Sequence, residues 1–535
     1  MNKETISLET ALWSSADSLR GKMNASDYMN YLLGLVFYKH LSDRQLRKFE
    51  ELMSEGEITE PKPLDELQTM YESEFKESGD DILEEISSIY TVALTPEQTF
   101  NALLSKIKDK KFQLSDLKDV FTVIETSDVK LNNIFQDFDI NSTKLGTNQA
   151  VKNRTISEVM EKIGKIDTTI EGTVDNLGDV YEYLLGKFAS DNNGGEFYTP
   201  KSVSDMMSRI VTKGKEDSPK FKIADFTMGS GSLMLNAKKY MNKDSKDNIV
   251  YFGQELNGAT YNLAKMNLIL HGVSLNNQIL SHGDTLEDDW TEVDGENYEM
   301  DAVVMNPPYS LKWKAPKELL EDIRFRDFGV LPPQSKADLA FLLHGLSHLE
   351  KENGKMAIVL PHGILFRGAS EGKIRQKLLE NGNIEAVIGL PSNIFFNTGI
   401  PTTVLILSKN RQTKDVYFVD ASKEFEKQKA HNVMLEKHIN HVVENYFESK
   451  EEDKFSRLVP FEEIVENDYN LNIPRYIDTF EEEPEIPLEQ IMRDLNRIDS
   501  EIEKSNEKLL NFMNDMIGTD EESNEELENF IKGFV

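Results

Sequence analysis

Acidic side chains end three consecutive β-rich runs of this sequence, and a glycine turn follows the first. The residues are Asp225 with the turn Gly229-Ser230-Gly231, then Glu255 after NIVYFGQ, then Asp284 after LSHG. Glycines let a ligand approach the backbone, and a carboxylate at the next strand end can accept hydrogen bonds from ribose hydroxyls. With Asp284 placed to meet an adenine amino group, the three strand ends predict an adenosine pocket at the carboxyl edge of a sheet.

The glycine turn also argues against another nucleotide. The dinucleotide-binding fingerprint requires a third glycine, where this chain has Met234. Nicotinamide-dependent oxidoreduction is therefore the weaker alternative. A solvated strand end is the ordinary alternative for Glu255. The turn itself leads into a predicted helix near Ser232, whose N-terminus favours negative charge.

A fourth β-rich run, AVVM, leads directly into Asn306-Pro307-Pro308-Tyr309. Two adjacent prolines fix two φ angles and remove two backbone donors, so the chain there is stiff and open. Asn-Pro is also a common opener of simple turns. Its place at the same predicted sheet edge favours a chemical role, with the ligand and the reacting group in one crevice.

The segment GGEFYTP, residues 194–200, lies upstream of the first predicted strand. Its Phe197, Tyr198 and Thr199 either pack as a loop on the sheet or close over the tail of the ligand in the crevice.

The distribution of helical and β-rich patterns along the chain predicts three regions. Residues 1–165 read as helical, and residues 166–475 contain β-rich runs that alternate with helical ones. Such alternation predicts an α/β fold, a parallel sheet with helices on both faces. Residues 476–535 read as a helical extension. Its apolar residues follow alternating steps of four and three, as in a coiled coil, with Ser505 filling the one gap: Ile491, Leu495, Ile498, Ile502, Leu509, Phe512 and Met516. That seam packs either on its own domain or, as we favour, on a partner helix.

Composition limits the function further. The chain of 535 residues contains no cysteine, which excludes disulfides and thiolate metal sites. We find no His-x-x-x-His spacing, so we expect no metal. The sequence contains no run of 18 apolar residues and no signal peptide, so we expect a cytoplasmic protein without a membrane span.

The formal net charge is −34, which opposes DNA binding by this chain alone. Either the substrate is not nucleic acid or a partner supplies the DNA contacts, although acidity also simply aids solubility.

The order of these motifs carries a resemblance. F-Y-T-P, D-x-x-x-G-x-G, an acidic second strand and N-P-P-Y together resemble the adenine-N6 DNA methyltransferases. The N-terminal stretch SLETALWSSADSLRGKMNASDYMNYLLGLVFYKHLSDR resembles the helical domain of the modification subunits (HsdM) of type I restriction–modification systems. The resemblance covers nearly the whole chain and implies a Rossmann-like methyltransferase domain between a helical N-terminal domain and a C-terminal helical extension.

The cofactor that the resemblance implies is S-adenosylmethionine. Its expected contacts are Glu196, Phe197, Tyr198, Thr199, Pro200, Lys201, Asp225, Gly229, Ser230 and Gly231, with Glu255 on the ribose and Asp284 on the adenine.

The resemblance also implies that Asn306–Tyr309 activate the adenine amino group that receives the methyl group. An adenine amino group is a poor nucleophile because its lone pair is delocalised into the ring. The side-chain oxygen of Asn306 and the carbonyl of Pro307, which Pro308 helps to hold, would accept its hydrogens and favour a tetrahedral nitrogen. Tyr309 would stack on a base flipped out of the duplex, with Phe395 or Phe396 on the second face.

In the family, a specificity subunit reads the DNA site, two modification subunits clamp around it, and a restriction subunit carries the motor. This sequence has no G-x-x-x-x-G-K-[ST] motif, so it is not expected to be the motor. A self-sufficient adenine methyltransferase, a protein glutamine methyltransferase and a non-catalytic assembly subunit stay open as alternatives.

Overall fold

The chain is described by a computed structural model that covers residues 19, 22–54, 61–166, 181–187, 199–289, 292–293, 296–395, 399–428, 431–478, 487–517 and 519–534. It divides into two compact units, Met1–Asp478 and Thr479–Val535. Among the described helices, none is both long enough and apolar enough to cross a bilayer.

The N-terminal part of the first unit is helical, as the sequence predicts. Its helices are α1 (Ala25–Met53), α2 (Leu64–Tyr90), α3 (Phe100–Lys108), α4 (Leu114–Ser127) and α5 (Gln149–Ile163). Asn24 caps α1, because its side chain accepts the backbone N–H of Asp27 at 2.9 Å. The core of this helical region also includes Leu263 and Met266, which belong to the α/β region described next. The two regions therefore share one hydrophobic core.

A nine-stranded sheet organises the rest of the first unit. Its strands are β1 (Lys222–Asp225), β2 (Val250–Glu255), β3 (Gln278–His282), β4 (Ala302–Met305), β5 (Lys355–Pro361), β6 (Ile384–Gly389), β7 (Thr402–Ser408), β8 (Val416–Asp420) and β9 (Ser456–Val459). Their order across the sheet is β9-β8-β6-β7-β5-β4-β1-β2-β3.

The prediction of a parallel sheet was wrong for two strands. β7 runs antiparallel to both of its neighbours, β5 and β6, and β9 runs antiparallel to β8. The other pairs are parallel, so the sheet is mixed. All seven residues of β7 are buried, and a strand buried on both faces has no alternation that would reveal its direction.

Helices cover both faces of the sheet. They are α6 (Lys201–Thr212), α7 (Ser232–Leu235), α8 (Gly258–Leu270), α9 (Asp338–Ser347), α10 (Ala369–Glu380), α11 (Glu436–Glu448) and α12 (Phe461–Glu466). Along β4, Ala302 and Val304 join the core that contains α6, whereas Val303 and Met305 join the core that contains α9. This alternation follows from the two-residue period of a strand.

The second unit contains α13 (Leu488–Asn514) and α14 (Glu521–Phe534). The seam residues Ile491, Leu495, Ile498, Ile502, Leu509 and Phe512 lie on α13 and are exposed in the single chain, from 41% for Ile491 to 69% for Phe512. Met516, predicted to extend the seam, lies beyond the end of the helix. The apolar stripe is thus one residue shorter than expected.

Candidate active site

The carboxyl ends of β1, β2, β3 and β4 open onto one cavity of about 430 Å³. Eight residues that the sequence singled out line it: Thr199, Asp225, Gly229, Ser230, Glu255, Asp284, Asn306 and Pro308. Parallel neighbours end at the same edge of a sheet, which is why residues far apart in the chain meet here. Thr227, Gln254, Asn257, Thr285 and Phe341 also line the cavity and were not predicted.

The other predicted residues are not among those that line the cavity, or they lie outside the described part of the chain. Gly231, Pro307 and Tyr309 are not among the lining residues, and Pro200 and Lys201 form the N-cap and the first residue of α6. Glu196, Phe197, Tyr198 and Phe396 lie outside the described residues.

The glycine turn after β1 needs glycine for its backbone shape. Gly229 and Gly231 adopt φ angles of 53° and 77°, in the left-handed region. The predicted helix after the turn is short, because α7 has four residues and continues as a 3-10 helix over Asn236–Tyr240. Its N-terminal dipole is correspondingly weaker than the sequence suggested, so close backbone approach is the main contribution of this turn.

Glu255 links three strand ends. Its Oε2 accepts the backbone N–H of Gly229 at 3.0 Å, and its Oε1 accepts that of Asn257 at 2.8 Å. Its backbone carbonyl accepts the N–H of Gly283 at 3.1 Å, at the end of β3. Burial raises the pKa of Glu255, while the backbone donors oppose that shift. Each carboxylate oxygen has a second lone pair, so a ribose hydroxyl can still be bound.

Asp225 is the most deeply buried carboxyl group of the cavity. Burial raises its pKa to about 7, although hydrogen bonds from Thr227 to Oδ1 oppose the shift. Near neutral pH this group is therefore partly protonated unless a cation lies beside it.

Asp284 is half-buried one residue beyond Gly283. The backbone N–H of Leu286 donates to its Oδ1 at 2.9 Å, which fixes the carboxylate just beyond the C-terminal end of β3. The side chain thus keeps acceptor capacity on the cavity side, as an adenine amino group requires.

The side-chain amide of Asn306 is held at both ends. Its Nδ2 donates to Oγ1 of Thr199 at 3.1 Å, and its Oδ1 accepts the hydroxyl of Tyr309 at 2.8 Å. Burial raises the pKa of Tyr309 far above its usual value, so the hydroxyl stays protonated and donates. The ring of Tyr309 meets Phe395 edge-to-face, with 6.2 Å between centroids. Phe395 itself is buried in the core.

Asp338 was missed by the sequence analysis. Ser310, directly after Tyr309, has a φ of 54°, and its N–H donates to Oδ1 of Asp338 at 2.7 Å. Oδ2 of the same carboxylate lies 3.2 Å from Nη1 of Arg367. Asp338 is fully buried at the start of α9. The available signal was an aspartate opening the apolar run DLAFLL, since a buried carboxylate needs a partner.

The expectation that His-x-x-x-His spacing is missing was wrong. His344 and His348 have that spacing, and with Asp289 they form a group whose ligand atoms lie within 4.8 Å of one another. However, Nη1 of Arg324 lies 3.2 Å from Nδ1 of His344. Arginine only donates, so Nδ1 accepts and Nε2 carries the proton, which prevents Nε2 from binding a metal. The arrangement favours a hydrogen-bonded cluster beside the cavity wall.

The raised pKa of Asp225 predicts a pH-dependent effect of Asp225→Asn. Between pH 4 and 7 the folded protein holds this proton and the unfolded chain does not, so the contribution of Asp225 to stability falls as pH rises to 7. At pH 8 we expect the substitution Asp225→Asn to raise the free energy of unfolding, by up to about 4 kcal/mol for a shift of about three pKa units. Near pH 5 the gain should fall to about 1.6 kcal/mol, because pH 5 lies only about one unit above the usual pKa of 3.8.

Urea unfolding of both proteins at pH 5 and pH 8 measures this difference. Asp119→Asn, at an exposed site on α4, is the matched control and should change neither value. Equal destabilisation by Asp225→Asn at both pH values would contradict the assignment.

Comparison with known proteins identifies the family of this chain. The N-6 DNA Methylase family matches residues 172–485, and the HsdM N-terminal domain family matches residues 8–163. The MpnII methylase subunit of a type I restriction enzyme of Mycoplasma pneumoniae is 34% identical over 92% of this chain and 93% of its own length. The MjaVIII methylase subunit of Methanocaldococcus jannaschii is 32% identical over 92% of this chain and 81% of its own length.

A crystal structure of a similar protein indicates the same family. The methyltransferase subunit of a type I restriction–modification system from Streptococcus thermophilus has a TM-score of 0.84 and 51% identity, and the match covers 88% of this chain and 99% of that chain. The present chain belongs to the N-6 DNA methylase family and is an adenine-specific DNA methyltransferase subunit of a type I restriction–modification system.

Proposed function

We propose that this subunit methylates adenine N6 with S-adenosylmethionine in the crevice between the glycine turn and Asn306–Tyr309, while a separate specificity subunit reads the DNA sequence. The convergence of three acidic strand ends and Asn306 on one cavity is the observation that carries this proposal. We divide the chain accordingly into a helical domain (1–165), a catalytic domain (166–475) and a docking region (476–535).

The cavity fits the cofactor in size and chemistry. Its volume of about 430 Å³ lies in the range of small-molecule sites. Glu255 presents acceptors for ribose hydroxyls, and Asp284 presents one for an adenine amino group. The ammonium and sulfonium charges of S-adenosylmethionine would offset the cost of ionising Asp225. When bound, the cofactor supplies an electrophilic methyl group.

Asn306 and its neighbours would prepare the acceptor. Oδ1 of Asn306 and the carbonyl of Pro307 accept hydrogens of the amino group, which favours a nucleophilic nitrogen and stabilises positive charge that develops there. In the base-free chain Oδ1 accepts the Tyr309 hydroxyl through one lone pair, and its second lone pair can accept a hydrogen of the incoming amino group. The Tyr309 ring can stack on the flipped base.

The second unit supports an assembly role. α13 exposes an apolar seam on a helix in a predominantly acidic segment. A net charge of −34 leaves the DNA phosphates to be neutralised elsewhere. A specificity subunit that packs helices against α13 would supply both the missing helix contacts and the DNA contacts. The family resemblance further implies two copies of this chain per specificity subunit and a restriction subunit as motor.

Methyl transfer from labelled S-adenosylmethionine to DNA tests the proposal, with and without the co-encoded specificity subunit. We expect labelled N6-methyladenine only when both subunits are present. Activity of this chain alone would show that methyl transfer needs no specificity subunit. Cofactor binding without DNA methylation in either case would contradict the proposed reaction in this crevice.

Asn306→Ala should abolish methyl transfer in the assembled complex, because the amino group loses its side-chain acceptor. Cofactor affinity, measured by calorimetry, should stay within about threefold, since the carboxylates and the glycine turn are untouched. Asn276→Ala, at an exposed asparagine between α8 and β3, is the control and should keep full activity. Loss of cofactor binding in Asn306→Ala would show that the two halves of the crevice are wrongly assigned.

Removal of the seam should weaken assembly and leave the first unit folded. Deletion of residues 486–535, or the milder Leu495→Glu/Ile502→Glu, should abolish co-elution with the specificity subunit in size-exclusion chromatography, because each charge enters an apolar helix contact. Asn496→Glu adds a charge on the same helix, off the seam, and should assemble normally. Normal assembly of the double variant would rule out α13 as the docking helix.

A further inference from the structure

The two ends of the Asn306 side chain differ chemically but have nearly the same shape. A half-turn of the amide exchanges the oxygen with the NH2 group. Only the oxygen can accept a hydrogen from a substrate amino group, whereas the NH2 group would oppose another donor. The proposed reaction therefore depends on which way this amide faces.

The contacts of Asn306 show which neighbours hold its amide in place. The hydroxyl of Tyr309 donates to one lone pair of Oδ1, and the second lone pair stays available to a substrate amino group. At the other end of the amide, Nδ2 donates to Oγ1 of Thr199 at 3.1 Å. That contact satisfies Nδ2 in a half-buried site.

Thr199 is well placed for this task. It precedes Pro200, the N-cap of α6, and the backbone N–H groups of Val203 and Ser204 both donate to the carbonyl of Pro200 at 3.0 Å. The backbone next to Thr199 is thereby tied to the first turn of a helix whose apolar face is buried in the sheet core. The hydroxyl consequently approaches Asn306 from the residue before the N-cap of α6, across 107 positions of sequence.

We propose that Thr199 is a positioning residue: its hydroxyl is hydrogen-bonded to Nδ2 of Asn306 and so holds the far end of the amide in place while Oδ1 meets the acceptor amino group. The inference rests on the proposed function and assigns Thr199 a role in addition to its expected contact with the cofactor. It acts through Asn306 and does not itself touch the reacting atoms.

Thr199→Val tests this role, because valine keeps the shape of threonine and removes only the hydroxyl. In the complex with the specificity subunit, we expect kcat to fall about tenfold to a hundredfold, as expected for one unsatisfied amide donor. Because Thr199 is also an expected cofactor contact, kcat is compared at saturating S-adenosylmethionine and the Kd of the cofactor is measured alongside. The KM for DNA should stay within about twofold, because the contact positions Asn306 and does not bind DNA. Thr199→Ser, which keeps the hydroxyl, should restore kcat to within about threefold of the wild type.

Two results would overturn the inference. A weakened cofactor Kd with unchanged kcat in Thr199→Val would make the residue a cofactor contact only. A Ser variant as slow as the Val variant would show that the methyl group, and not the hydroxyl, matters. Asn306→Ala separates the two proposals: if it keeps full activity the proposed function fails, whereas if it is inactive and Thr199→Val is fully active only the role of Thr199 fails.

Discussion

The buried carboxylate of Glu255 is the interaction on which the site depends. Through its two oxygens and its backbone carbonyl it joins Gly229 after β1, Asn257 after β2 and Gly283 after β3. A buried carboxylate is costly unless its lone pairs are satisfied, and here backbone N–H groups satisfy it. The arrangement works only when the three strand ends lie in register. The side chain proposed to recognise the ligand therefore also holds the ligand's cavity in shape.

The two prolines of the loop Asn306–Tyr309 do not by themselves position its side chains. The two prolines restrict their own φ angles, but the amide of Asn306 and the left-handed backbone at Ser310 depend on other elements. Thr199 reaches the amide from the start of α6, and Asp338 reaches Ser310 from the start of α9. Arg367 in turn balances the charge of Asp338. The loop is thus held by groups from three separate parts of the chain.

The sequence predicted the strand ends well because their signals are local. A run of apolar residues followed by Asp225, Glu255 or Asp284 can be read without knowing the fold, and all three meet at one cavity. Strand direction could not be read in this way, since β7 is buried throughout and looks the same in either direction. The contact between Thr199 and Asn306 spans 107 residues, and nothing local in either segment indicates it. Nor did the sequence show that the helix after the glycine turn ends at Leu235 and continues as a 3-10 helix.

The reversed direction of β7 has a consequence for how this enzyme can vary. A parallel successor to β6 would require a crossover that carries the chain away from the carboxyl edge. Because β7 is antiparallel, its connection from β6 starts and ends at that edge, with Leu390 bonded to the carbonyl of Thr402 at 2.9 Å. From there Phe395 reaches the ring of Tyr309. Both ends of this connection are thus held by the sheet. Insertions or replacements in it can change the surroundings of the target base and leave β1, β2 and β3, which form the proposed cofactor site, unchanged.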